Sequence, residues 1–121
     1  MNTIITILSV LVALEFFYIM YLETFATTSS NTGRVFNMTS DELQNKHVQT
    51  LFKNQGIYNG LIAVAVLYTL LFTPNHHNNL LAIMVYIILV GLYGSFSSGD
   101  KLIVLKQAGL AIIVAILLLI A

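Results

Sequence analysis

The chain has 121 residues, of which 58% are hydrophobic and only 8% charged, and its formal net charge is zero. An ordinary soluble domain carries about 25% charged residues. With about a third of that and a mean hydropathy of +0.88, this composition excludes a disordered chain, a nucleic-acid binder and an ordinary cytoplasmic globule. It fits an all-α integral membrane four-helix bundle, because four spans of roughly 20 apolar residues use about 80 positions. One domain over residues 1–121 is all the length allows. Cysteine and tryptophan are absent, so no disulfide, thiolate nucleophile or Cys-based metal site is expected, and Tyr serves as the interfacial anchor.

The first span is expected over about Thr3–Phe25 and contains Glu15 and Glu23. No basic n-region precedes it and its apolar run is too long for a cleaved signal, so it reads as a retained span. Residues 26–53 form the first connection. Thr27 to Gly33 reads as a polar, turn-rich linker. Thr39 and Glu42 stand at capping-box spacing, and Leu43, His47 and Leu51 recur at i, i+4 and i+8, which predicts a short amphipathic helix from about Ser40 to Lys53. That helix either lies on the inner leaflet or runs into the second span; a connector role is favoured over a regulatory one. The second span covers about 54–73, closed by Thr73-Pro74-Asn75, because proline lacks the N–H that would continue the helix. The third covers about 80–97, with Ser97-Ser98-Gly99-Asp100 as the turn out of it. The fourth covers about 101–121.

Charge sets the orientation. Arg34, Lys46, Lys53, Lys101 and Lys106, the five basic residues, all lie in or near the first and third connections. With four spans these share one side, which the positive-inside rule makes cytoplasmic, leaving both termini outside. The expected location is the bacterial cytoplasmic (inner) membrane.

Several residues are costly to bury in hydrocarbon. Glu15 lies about ten residues from the inner end of its span, roughly 15 Å deep, and an intramembrane carboxyl marks a functional hypothesis by default. A helix-tying hydrogen bond is the alternative. Glu23 is eight residues on, near the inner interface, with Tyr18 between them; as a purely structural residue it would pair with a lysine such as Lys106. The second span opens with Asn54, Gln55, Gly56, Ile57, Tyr58, Asn59 and Gly60. Tyr93 near the end of the third span, and Lys106 and Gln107 early in the fourth, reach a comparable depth. Glu15, Tyr18, Glu23, Asn54, Gln55, Tyr58, Asn59, Tyr93, Lys106 and Gln107 are the expected substrate- or proton-binding set, a polar pocket open to the cytoplasm with Glu15 at its floor. Gly56 and Gly60 have the small-xxx-small spacing that lets helices approach closely, within the bundle in preference to a dimer. His76-His77 read as an exposed polar turn and not a metal site, since adjacent side chains diverge. Asn37-Met38-Thr39 matches a glycosylation acceptor but falls on the cytoplasmic side. No P-loop, HExxH or nucleophile elbow occurs.

The segments Ala13-Leu14-Glu15, Tyr18 to Phe25, Gly33-Arg34-Val35-Phe36, Asn54 to Gly60 and Gly91-Leu92-Tyr93-Gly94 occur in that order. Nearly the whole chain thereby resembles the bacterial domain-of-unknown-function family 1304, small four-span membrane proteins, most specifically in the Asn-Gln-Gly-x-Tyr-Asn-Gly block. Phe16 and Ala26 stand where members often carry His and an aromatic. The resemblance implies membrane location and a shared site around Glu15, Glu23 and Asn59, without an activity.

Three functions compete. First stands a small-solute or proton-linked transporter or channel-like protein, for which a homodimer is favoured because four helices make a narrow path. Next comes an accessory subunit whose polar layer holds a small solute, lipid head group or partner helix without transport. An intramembrane enzyme ranks third, since no nucleophile is recognisable. No cofactor, metal or nucleic acid is expected; the lipid bilayer is the expected surrounding partner.

Overall fold

The computed structural model describes residues 2–74 and 76–121. The fold is all-α. Helix α1 (Thr3–Met20) runs on into a π-helical turn over Tyr21–Phe25. It is followed by α2 (Ser30–Phe36), α3 (Ser40–Gln44), α4 (Lys46–Phe72), α5 (His76–Ser98) and α6 (Ile103–Ile120). Four stretches, Thr3–Phe25, Lys46–Phe72, His76–Ser98 and Ile103–Ile120, are long and apolar enough to cross a membrane. Their outward side chains are large and apolar, among them Leu61, Leu71, Phe72, Leu89, Leu119 and Ile120. A helix apolar all round matches a hydrocarbon solvent, not water.

The chain divides into two compact units, Leu14–Val64 and Met1–Ala13 with Ala65–Ala121. In the latter, α5 buries Leu80, Met84, Ile87 and Gly91, a four-three-four spacing that keeps one stripe inward. Helix α6 answers with Ala108, Ala111, Val114, Ala115 and Leu118. Small residues make the contact close: a Cβ on Gly91 would stand 3.3 Å from Ala108 Cβ and 3.5 Å from Val104 Cα. Ser9 is fully buried, and its hydroxyl donates to Ile5 O at 2.7 Å, so no polar atom is left bare. Helix α4 stops at Phe72 ahead of Pro74, with the Thr73 hydroxyl donating back to Thr69 O at 2.7 Å. Asn75, the last residue of the expected stop, lies outside the described residues.

In Leu14–Val64 the first connection is more structured than its polar composition implies. The expected linker over Thr27 to Gly33 contains the start of α2. Ser29 caps that helix by accepting from the Thr32 N–H, and Asn37 closes it in the left-handed region at φ 55°. Asparagine tolerates that conformation better than most residues, which is why the helix ends there. The expected capping box exists. Thr39 Oγ1 accepts from Glu42 N–H at 3.1 Å, and the Glu42 carboxylate accepts from Thr39 N–H at 2.9 Å. That bond holds the Glu42 carboxyl below its ordinary range.

The amphipathic helix expected from Ser40 to Lys53 is instead two helices. Asn45 breaks it at ψ 124°, and its Oδ1 accepts from the N–H groups of His47 and Val48, capping α4. The break ends the expected apolar face: Leu43 is buried, whereas His47 and Leu51 are exposed. Phe52 packs edge-on against Phe36 instead, with ring centroids 5.2 Å apart. Helix α4 therefore starts eight residues before Asn54. Its 27 residues measure about 40 Å against a hydrocarbon core of about 30 Å, an excess of about seven residues. The polar, twice-lysine segment Lys46–Lys53 accounts for that excess.

Candidate functional site

The end of α1 does not fray. It widens into a π turn, closed by Ala26 N–H donating to Tyr21 O at 2.9 Å. The wider turn leaves carbonyls without their usual donors, and two hydroxyls supply replacements. Thr27 Oγ1 donates to Glu23 O at 2.7 Å. Thr32 Oγ1, fully buried, lies 2.6 Å from Ala26 O and 3.2 Å from Leu22 O. Because its proton goes to a carbonyl, the 2.9 Å contact between Thr32 Oγ1 and Ser29 Oγ has serine as donor. π turns occur often at functional sites, and this one carries Glu23.

Glu23 is 4% exposed, and its Oε1 accepts from Asn59 Nδ2 at 2.5 Å. Asn59 reaches it because α4 turns Gly56, Asn59 and Gly60 to one side, at i, i+3 and i+4. A Cβ on Gly56 would overlap Thr24 Oγ1 and stand 3.1 Å from Glu23 Cβ; one on Gly60 would overlap Met20 Sδ. Thr24 Oγ1 also donates to Lys53 O at 3.1 Å. The glycines thus admit the backbone of α1 to within reach of a short carboxamide side chain, as small-xxx-small spacing allows.

The other expected site residues fall into different surroundings. Glu15 is half-buried, and its Oε1 is closed to solvent with no hydrogen-bond partner among the described residues. Tyr18, Asn54, Gln55 and Tyr58 are exposed and do not join the Glu23–Asn59 pair. In the other unit, exposed Tyr93 pairs with the Phe96 ring at 6.5 Å. Lys106 Nζ lies 3.9 Å from Asp100 Oδ2, and Gln107 is half-buried near Gly94. Thr24, Thr27 and Thr32, which hold the end of α1 beside the pair, were not among the expected site residues. The Ser29-x-x-Thr32 cap spacing and the threonines at 24 and 27 flanking the end of the apolar run were the available signals. Among the described residues no group of three His, Asp or Glu side chains could hold a metal ion.

Chemically, the pair offers a buried carboxyl facing a neutral carboxamide. Asn59 donates through Nδ2 to a carboxylate, and through Oδ1 it accepts from a carboxylic acid. The hydrogen bond therefore survives in either protonation state.

A protein called Uncharacterized protein YpaA, from Lactococcus lactis subsp. lactis (strain IL1403), is 59% identical over 115 residues, which cover 94% of this chain and 96% of that protein. No solved structure matches the chain. The family described as Protein of unknown function (DUF1304) matches over residues 10–119, and the chain belongs to that family.

Proposed function

We propose that the chain is a proton-linked transporter or channel-like membrane protein for a small solute, with Glu23 and Glu15 as its proton-exchanging groups. The first and third connections, which carry all five basic residues, face the cytoplasm in this reading. The observation that carries it is the partner of Glu23. A buried carboxyl paired with lysine or arginine is held ionised, and protonating it breaks an ion pair. A carboxyl facing Asn59 gains and loses a proton while keeping its partner. Glu15, with one oxygen unpartnered among the described residues, supplies a second exchanging group on the same helix. Intramembrane carboxyls are costly enough that they mark functional positions, among them substrate or ion pathways and proton relays.

The test is reconstitution of the whole chain in liposomes with an imposed pH gradient. Collapse of the gradient is followed by a trapped pH dye, and uptake is measured for a panel of radiolabelled amino acids, sugars and small cations. Gradient-dependent flux above protein-free vesicles, lost in Glu23→Gln and Glu15→Gln, is the expected result. If the folded wild type moves neither protons nor any member of the panel, the transport reading fails and an accessory role takes its place.

A further inference from the structure

The linker after the π turn, α2, α3 and the turn between them line an open cleft of about 580 Å³ that the proton-exchanging pair does not use. Its size falls in the range of small-molecule sites, roughly 300–1,000 Å³. Apart from Met38 and Leu43 the lining is polar, and it carries a single charge. Thr28, Ser30, Asn37 and Ser40 surround the cleft, with Arg34 as its cation and the backbone at Gly33 as part of its wall. Among the described residues the side chains of Thr28, Ser30, Asn37 and Ser40 make no hydrogen bond within the protein. The Arg34 guanidinium reaches only the neutral Asn31 Oδ1. No carboxylate is among the lining residues; Asp41 follows the lining Ser40 in the chain, and the Glu42 carboxylate beyond it accepts from Thr39 N–H.

A cationic fork with one neutral partner, ringed by unengaged hydroxyl and amide donors, has the chemistry of an oxyanion receptor. Guanidinium binds phosphate through two parallel charge-assisted bonds, and hydroxyls complete the remaining lone pairs. The cleft wall is itself closely packed at Gly33. A Cβ on Gly33 would stand 2.8 Å from Met38 O, so any larger residue pushes the α2–α3 turn outward. Residues 26–53 connect two helices long and apolar enough to cross a membrane, so the cleft lies in a segment that adjoins the ends of two candidate spans. Basic pockets beside spans recognise lipid head groups.

We infer that the Arg34 cleft binds an anionic phosphate group, carried either by a phospholipid head group or by a free phosphate ester. The experiment uses the full chain in phosphatidylcholine nanodiscs and has two arms. One titrates inorganic phosphate and follows the backbone amide signals of Gly33 and Arg34 by NMR. The other exchanges phosphatidylglycerol into the nanodiscs and counts retained lipid by native mass spectrometry. Arg34→Gln is expected to weaken binding at least about tenfold, the loss of a hydrogen bond to a charged group. Arg34→Lys keeps the charge but not the fork, and should fall between. Ser30→Glu places a carboxylate in the cleft and should weaken binding as much as Arg34→Gln. It leaves α2 folded, since an acidic residue suits the first turn of a helix.

Lys101→Gln, in the third connection, should change nothing. Arg34-dependent effects in the phosphate arm alone assign a soluble phosphate; a preference for phosphatidylglycerol lost in Arg34→Gln assigns the lipid. If neither arm depends on Arg34, or Lys101→Gln weakens binding equally, the cleft is no anion site and the inference is overturned.

Discussion

Replacing Gly56 by alanine adds one methyl group where α4 lies against the end of α1. The built Cβ overlaps Thr24 Oγ1 and stands 3.1 Å from both Thr24 Cβ and Glu23 Cβ. Two of those atoms are one bond from the backbone, so they cannot swing aside. The third is held by its bond to Lys53 O. Overpacking of this kind costs about 1–3 kcal/mol, and displacing Thr24 forfeits about 1 kcal/mol of hydrogen bonding. The helix propensity gained by alanine over glycine returns about 1 kcal/mol. The net expectation is a loss of about 1–3 kcal/mol. Gly60→Ala is the internal control, because its overlap is with Met20 Sδ and Met20 Cγ lies 3.2 Å away. A thioether is flexible enough to move, so Gly60→Ala should melt close to wild type. Adding Thr24→Ala to Gly56→Ala should recover part of the loss, a coupling of about 1–2 kcal/mol in a double-mutant cycle. The assay is thermal or detergent-induced unfolding of the purified protein. A Gly56→Ala protein as stable as wild type, or less stable Gly60→Ala than Gly56→Ala, would refute the close approach of these helices.

Thr32→Val keeps the shape of a fully buried side chain but strips the donor from Ala26 O, and should cost about 1–3 kcal/mol. Hydrogen exchange at Ala26 should rise if that hydroxyl holds the π turn together; unchanged exchange would show that it does not. Glu42, with its carboxyl held below the ordinary 4.5 by Thr39 N–H, stabilises the start of α3 above that value. The contribution is lost as pH falls through the lower folded value, so the Thr39 amide signal should shift there, and not in Glu42→Ala. Single cysteines report the orientation without background, since the chain has none. Those at Asp41 and Ser97 should label from the cytoplasm and one at Asn78 from outside; outside labelling at Ser97 would reverse the proposed sidedness.

How far the sequence alone reaches is clearest in its spans. Long apolar runs interrupted by Pro74 and by Ser97 to Asp100 state four membrane-length helices, because burying a backbone in hydrocarbon leaves few alternatives to a helix. The capping box at Thr39 and Glu42 was equally local, since a cap needs only residues three apart. In the first connection the spacing of Leu43, His47 and Leu51 placed Lys46–Lys53 in a helix, with continuation into the second span as one of its two readings, but it did not reveal the break at Asn45. Lys46–Lys53 is polar yet helical, and its helicity comes from continuity with an apolar helix and from the Asn45 cap, not from hydropathy. The carboxyls were legible as costly residues, but their partners were not. Glu23 and Asn59 stand 36 positions apart, and no periodicity links them. Two glycines let one backbone approach, a π turn aims the carboxyl, and threonine hydroxyls satisfy the carbonyls that turn exposes. Each of those is a tertiary arrangement, in which one helix supplies what another's geometry leaves unpaired.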